Sequence, residues 1–140
     1  MTREQIADLV ARRADAYRRL DVAALAADHA EQGTMESPMA GTVTGRAAIQ
    51  GVYRTWFTAF PDFRLEAADT LIDGDRVAQF GTIHGSDTGG FMGLPPSGRA
   101  LKFPIVFLYV LEGDSIVRFR TIYDFTGVLM QLGVLKAKPA

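Results

Sequence analysis

The strongest constraint on the fold is a change of hydrophobic period near the middle of the chain. Before Pro61, apolar residues recur every three or four positions, which indicates amphipathic helices. From Phe63 onward they recur at every second position, which indicates strands, and the tight-turn sequences Asp73–Asp75 and Glu112–Asp114 separate these strands. Helices followed by hairpin-connected strands predict an α+β fold, with the helices grouped on one face of an antiparallel sheet.

The first half of the chain contains three predicted helices. They are Thr2–Leu20, Asp21–Asp28 and Arg46–Ala59. Thr2 and Gln5 have the spacing of a capping box, and Thr44 is a candidate cap for the third helix. The arginines of the first helix, Arg13 among them, are expected on its solvent-facing sides.

The second half contains the long strands. The predicted extended segments are Gln32–Met35, Thr42–Thr44, Phe63–Ile72, Arg76–Gly85, Arg99–Leu111 and Ser115–Phe125, followed by a short helix at Gly127–Gly133 and a tail at Lys136–Ala140. Strands of this length exceed what a small flat sheet needs. We therefore expect a cone-shaped, strongly curved antiparallel sheet wrapped around the N-terminal helices, forming one domain over residues 1–135.

The composition narrows the classes of partner. The 140 residues are 48% apolar and carry a net charge of −1, so nothing favours nucleic acid or a membrane surface, and a small apolar molecule or another subunit is the expected partner. The absence of cysteine excludes disulfides and thiolate chemistry. The N-terminal segment has no apolar signal core, so a cytoplasmic protein is expected. No metal spacing or phosphate-binding loop is present, so neither a metal site nor a nucleotide site is expected.

Asp124 is the first candidate for chemistry, because aspartate is depleted in strands and is rarely buried without a partner. Alternation along the predicted last strand puts it on the same face as Arg120. One interpretation pairs the two as a structural ion pair. The other makes Asp124 an acid or base in an apolar pocket, with Arg120 stabilising a developing enolate or carboxylate.

The two histidines allow similar alternatives. His84 lies in an apolar strand, either as a hydrogen-bonded structural residue or as a catalytic partner of Asp124. His29 lies near the end of the second predicted helix, where it either interacts with the terminal carbonyls or lines a pocket.

An aromatic stripe on the third helix is a candidate pocket wall. Tyr53, Trp56 and Phe60 recur at helical spacing and belong either to the core or to a wall built for a flat ring. Met35 and Tyr17 complete the candidate substrate-binding set.

The face of the last strand opposite Asp124 carries Val117, Phe119, Tyr123 and Phe125. If this face is the convex side of the sheet, it is too apolar to stay in water, and a homodimer is expected.

Three segments resemble one known family. They are WFTAFPDF at Trp56–Phe63, GSDTGGFMGLPPSGR at Gly85–Arg99 and RTIYDFTGVLMQLG at Arg120–Gly133. Together they look like the SnoaL-like polyketide cyclases of the nuclear transport factor 2-like superfamily, which also holds ketosteroid isomerase, scytalone dehydratase and limonene epoxide hydrolase. The loop departs from the usual G-T-H-T-G-E-F at Asp87 and Gly90, and Arg120 stands where tryptophan is common.

The resemblance implies a cone with a deep apolar pocket and without a metal or organic cofactor. In the cyclases an aspartate on the last strand acts as acid and base in an intramolecular aldol closure, and Asp124 matches it. Three hypotheses follow. The first is a cyclase or isomerase acting on an apolar oxygenated ring, and the second is a hydroxylase or epoxide hydrolase using the same pocket. The third is a non-catalytic binding or oligomerisation module.

Overall fold

The computed structural model describes residues 1–138, so Pro139 and Ala140 of the expected tail lie outside the described residues. The elements in chain order are α1 (Arg3–Arg18), α2 (Val22–Ala27), β1 (His29–Ser37), β2 (Gly41–Thr44), α3 (Arg46–Ala59), β3 (Arg64–Asp73), β4 (Arg76–Ser86), β5 (Ala100–Glu112), β6 (Ser115–Ile122) and α4 (Phe125–Gln131). The predicted α+β fold with a curved sheet and N-terminal helices is confirmed. No helix within the described range is long and apolar enough to cross a membrane.

The helix starts follow local capping chemistry. The Thr2 hydroxyl accepts from the Gln5 amide at 3.1 Å and the Gln5 side chain accepts from the Thr2 amide at 2.8 Å, which confirms the predicted capping box. Asp21 caps α2 through the amide of Ala24. The cap of α3 is Gly45, at φ 97°, and not Thr44, because the backbone turns through a conformation that favours glycine.

The six strands form one sheet in the order β2-β1-β6-β5-β4-β3. Hairpins join β3 to β4, β4 to β5 and β5 to β6 in antiparallel pairs. The sheet is antiparallel, as expected, except at one seam, where β1 runs parallel to β6 with Met35 opposite Phe119. This seam makes β1 longer than expected, since its pairing with β6 begins at His29, opposite Ile116.

The inner face of the sheet is lined by alternate residues of its long strands. On β5 the residues from Leu101 to Tyr109 alternate between buried and exposed or half-buried, and Ile83 and Val77 of β4 face the same way. The helices pack on this concave side, which places the core between α1, α3 and the sheet.

The expectation that the face of β6 with Phe119 and Tyr123 is the convex side of the sheet is wrong. Phe119, 1% exposed, and Tyr123 lie on the concave side, while Arg118, Arg120 and Ile122 lie outward. Alternation states which residues share a face, but the direction of sheet curvature decides which face is concave.

The loop between β4 and β5 is fastened at both ends. The buried carboxylate of Asp87 accepts from the Gly90 amide at 3.1 Å and from the Ser97 amide and hydroxyl at 3.1 and 2.8 Å. Phe91 is buried, with its ring centroid 4.8 Å from that of Trp56. The loop therefore packs into the core through Phe91, and its residue Met92 stays exposed.

Candidate active site

An apolar cavity lies between α3 and the concave face of the sheet. Counted with its open mouth it measures about 470 Å³, and the part that the centre of a water molecule can reach is about 50 Å³. One water needs roughly 10–15 Å³ by the second measure, so the cavity has room for several waters or a small ring. The lining residues are Tyr17, Met35, Ser37, Val52, Tyr53, Trp56, Phe57, Phe63, Ile83, Phe103, Ile105, Phe107, Phe119, Thr121 and Tyr123.

The polar groups of the wall are almost entirely hydroxyls, and none of the lining residues carries a carboxylate. The hydroxyl of Tyr123 is buried and has no hydrogen-bond partner among residues 1–138. Burial raises the pKa of Tyr123, so this group stays protonated and can donate. Its ring meets Trp56 edge-on, with the centroids 5.8 Å apart. The wall therefore offers a flat apolar slot, bordered by a residue whose buried hydroxyl has no partner in the described part of the chain.

A buried cation lies behind the cavity wall. Arg13 is 1% exposed, and its guanidinium donates to the Tyr53 hydroxyl at 2.6 Å, the Leu25 carbonyl at 3.0 Å and Asp28 at 3.1 Å. The rings of Tyr17 and Phe119 lie 5.8 and 5.6 Å from its central carbon. These contacts hold a positive charge beside a residue of the cavity wall.

The expectation that Arg13 faces solvent is wrong. The buried residues of α1 include Ile6, Leu9, Val10 and Tyr17. Position 13 lies three after Val10 and four before Tyr17, so it falls on the same stripe. The helical position of Arg13 therefore indicates burial from the sequence alone.

His29 completes the network around Tyr53. Its Nε2 lies 2.8 Å from the Tyr53 hydroxyl oxygen, and its backbone carbonyl accepts from Arg46 at 2.8 and 3.0 Å. Its Nδ1 is buried and has no partner in the described part of the chain. His29 is the first residue of β1 and is buried in the interior, so it does not cap the end of α2.

Four of the six expected substrate-binding residues line the cavity. They are Tyr17, Met35, Tyr53 and Trp56. Phe60 and His29 are buried but are not among the lining residues. Phe60 stacks on Trp56 at 5.7 Å, and His29 contacts the wall through Tyr53.

The three expected catalytic residues lie outside the cavity wall. Asp124 is not on the strand: it is the exposed N-cap of α4, and its carboxylate accepts from the Gly127 amide at 2.9 Å. His84 and Arg120 lie on the outer face, where His84 Nε2 is 2.9 Å from Glu66 and Arg120 donates to Glu36 at 2.7 Å.

The structure therefore does not bring Asp124, His84 and Arg120 together, and it does not form the expected Asp124–Arg120 pair. The strand ends at Ile122, three residues early, because Asp124 caps α4 through the Gly127 amide, and aspartate favours a helix cap over a strand position. Within residues 1–138, no three histidine or acidic side chains come together as a metal site.

We predict that His29 makes stability depend on pH. Burial, reinforced by the charges of Arg13 and Arg46, lowers the pKa of His29 from 6.5 to about 3. Between these values the unfolded chain binds the proton and the folded protein does not. The free energy of unfolding should therefore fall as the pH drops below 6.5, by up to about 1.4 kcal/mol per pH unit.

Urea unfolding at pH 7, 6 and 5 measures this slope. His29→Gln should remove the contribution of His29. His84→Gln serves as the matched control and should keep it, because His84 is partly exposed on the outer face. Equal slopes in the parent protein and both variants would contradict the prediction.

The comparisons with known proteins agree with this architecture. A candidate SnoaL-like polyketide cyclase from Jannaschia sp. CCS1 is 19% identical, with a TM-score of 0.82, covering 95% of this chain and 94% of its own. AclR, a candidate hydroxylase from Streptomyces galilaeus, is 24% identical, with a TM-score of 0.82 and coverage of 97% and 85%. IdmH, a candidate polyketide cyclase from Streptomyces antibioticus, is 27% identical, with a TM-score of 0.75 and coverage of 91% and 97%.

No curated protein matches the chain. The model of the SnoaL-like polyketide cyclase family matches residues 7–132, which is most of the sequence. The chain belongs to the SnoaL-like polyketide cyclase family.

Proposed function

We propose that the protein is an enzyme of the cyclase or isomerase type, acting on a small apolar ring that carries a carbonyl oxygen. The observation that carries this proposal is the largely aromatic cavity, whose lining includes Tyr123, a residue with a buried hydroxyl that has no hydrogen-bond partner among residues 1–138. A buried hydroxyl without a partner costs free energy, and a ligand oxygen would recover it. The remaining wall suits a flat hydrocarbon ring.

The proposed reaction passes through an enol or enolate beside the carbonyl. A hydrogen bond to the carbonyl oxygen acidifies the neighbouring carbon, because it stabilises the negative charge that develops on the oxygen. A methylene between two carbonyls is already acidic, so a solvent water at the open mouth can accept its proton while the wall donors stabilise the enolate, without a carboxylate in the cavity. In ring closure the enolate carbon then bonds to a second carbonyl carbon, whose oxygen takes up a proton. In a double-bond shift the proton returns to a different carbon of the enolate. The apolar surroundings strengthen these hydrogen bonds by excluding water.

The loop between β4 and β5 supports the shape of the site. Phe91 packs against Trp56, whose ring lines the cavity, and the clasp at Asp87 holds the loop in place. We propose that the loop shapes the cavity through this contact.

We predict that 1-indanone, a bicyclic ketone with an enolisable methylene, binds in the cavity. Binding should change the fluorescence of Trp56, the single tryptophan of the chain, and the protein should accelerate exchange of the α-protons of the ketone for deuterium. Tyr123→Phe should weaken binding of the ketone by roughly 2–10-fold, the value of one neutral hydrogen bond.

Tyr109→Phe is the matched control for Tyr123→Phe. Tyr109 is not among the lining residues, and its hydroxyl donates to Gln79 at 2.9 Å, so the variant should bind 1-indanone as the parent does. No change of Trp56 fluorescence and no exchange in the parent protein would overturn the proposed function.

We predict that Asp124 acts on stability through its cap and not on catalysis. Asp124→Ser keeps an oxygen at the cap and should change the free energy of unfolding little, whereas Asp124→Ala should lower it by about 1 kcal/mol. Both variants should keep the deuterium exchange rate of the parent. A loss of roughly 10²–10⁴-fold in exchange by a stable Asp124→Ser variant would restore the aspartate mechanism that the resemblance implies.

We further propose that the protein forms a homodimer through the outer face of its sheet. Leu71, Phe80 and Ile122 are 61%, 39% and 46% exposed there. Val106 lies between Phe80 and Ile122 in register, and Leu108 lies beside it on the same face. A contiguous apolar surface of this kind favours association with a second copy.

We predict that Phe80→Glu converts a dimer into a monomer in sedimentation velocity at micromolar concentration, because the new charge would be buried without a partner. Met92→Glu is the control, since Met92 is 48% exposed on the loop between β4 and β5. A monomeric parent protein, or a dimer that survives Phe80→Glu, would contradict this interface.

A further inference from the structure

The hydrogen bonds around Tyr53 leave one hydrogen unassigned. Its phenol oxygen accepts from Arg13 at 2.6 Å, because a guanidinium can only donate. The second contact, 2.8 Å to His29 Nε2, can run in either direction. The position of the imidazole hydrogen therefore decides where the Tyr53 hydroxyl points.

Two arrangements of the His29–Tyr53 contact are possible. In the first, Tyr53 donates to Nε2 and the imidazole hydrogen lies on Nδ1, where it is buried without an acceptor among residues 1–138. In the second, Nε2–H donates to the phenol oxygen and Nδ1 is a bare acceptor. The Tyr53 hydrogen can then turn toward the neighbouring Tyr17 hydroxyl or toward the cavity that both residues line. Buried N–H groups without partners are rarer than acceptors without them. A carbonyl in the cavity adds a hydrogen bond to the second arrangement only.

We propose that Tyr53 is a second donor, beside Tyr123, to the carbonyl oxygen of the ligand, with Arg13 and the Nε2–H of His29 both donating to its phenol oxygen. This inference rests on the proposed function of the cavity. It adds a catalytic residue, Tyr53, and two positioning residues that act through it.

The charge of Arg13 makes Tyr53 a stronger donor than a phenol in a neutral wall. Burial raises the pKa of Tyr53, and the charge and hydrogen bond of Arg13 oppose that rise. Tyr53 therefore stays a protonated donor whose oxygen can accept more negative charge. As the carbonyl becomes an enolate, the hydrogen bond from Tyr53 strengthens, and Arg13 stabilises the charge drawn onto the phenol oxygen.

The same arrangement defines the class of ligand. Tyr53 presents its hydrogen to the ligand oxygen, while Arg13 donates to the Tyr53 oxygen and places a positive charge behind it. The site therefore suits a carbonyl, enolate or phenolate oxygen. An ammonium group would meet the guanidinium charge at short range in an apolar environment, where repulsion is strong.

The tautomer of His29 tests this inference without a substitution. Nitrogen-15 NMR of the labelled protein should show the hydrogen of His29 on Nε2 when 1-indanone is bound. Indane, the same ring system without the oxygen, is the matched ligand. Observation of the Nδ1–H tautomer with 1-indanone bound would overturn the proposal, because Tyr53 would then be donating to His29.

Affinity and exchange provide a second test. The parent protein should prefer 1-indanone over indane by roughly 10–100-fold, as expected for a hydrogen bond supported by a charge. Tyr53→Phe should reduce this preference by about tenfold or more and slow deuterium exchange. A ketone preference that survives in a folded Tyr53→Phe variant would overturn the proposal.

The ring-binding function of the cavity and the role of Tyr53 are rejected by different results. If neither 1-indanone nor indane changes the fluorescence of Trp56, the cavity is not a ring-binding site, and the proposed function and this inference are both overturned. If both ligands bind but the preference and the His29 tautomer are independent of Tyr53, the ring-binding site stands and only the role of Tyr53 is rejected.

Discussion

The burial of Arg13 is the constraint on which much of the interior depends. A guanidinium stays charged in a protein, and moving it out of water costs several kcal/mol unless its hydrogens are satisfied. Here three partners come from two places, Asp28 and the Leu25 carbonyl at the α2 end and the Tyr53 hydroxyl on α3, while the Nε hydrogen has no partner among residues 1–138. The six-residue helix α2 is held against α1 by these contacts, and β1 starts at the next residue after Asp28.

Much of the fold could be predicted from the sequence, because its signals are local. The third helix was predicted at Arg46–Ala59 and has those bounds, and the turns at Gly74 and Gly113 have the positive φ of 60° that glycine adopts readily. The capping box at Thr2 is a pair three residues apart. Each of these features depends on neighbours in the chain, so no knowledge of the tertiary structure was needed.

The site was harder to predict, because its features depend on which side of an element faces the interior. Tyr53 and Trp56 were found from helical spacing, yet Tyr123 was placed on the wrong side of β6. Asp124 was read as a strand residue, although aspartate is also a favoured helix cap, and only the observed end of β6 decides between them. Arg13 was assigned to solvent from its charge, against the phase of its own helix.

The cavity differs in its chemistry from the aspartate site that the family resemblance implied. Its wall offers hydroxyl donors, and its charge lies one layer behind, on Arg13. Because Arg13 lies behind the wall, the ring-binding surface stays apolar, and the charge of Arg13 acts on a bound ligand through the hydroxyl of Tyr53. A direct charge in the wall would have to be solvated, which would admit the water that weakens every hydrogen bond in the cavity.

The parallel seam between β1 and β6 has a consequence for how the chain acquires its structure. His29 and Met35, early in the sequence, pair with Ile116 and Phe119, which are synthesised only after all the other strands. Closing such a long loop is entropically costly, and folds rich in distant contacts form slowly. During synthesis, the edge of β1 that pairs with β6 therefore stays open until β6 emerges. An open strand edge of this kind exposes a nascent chain to aggregation.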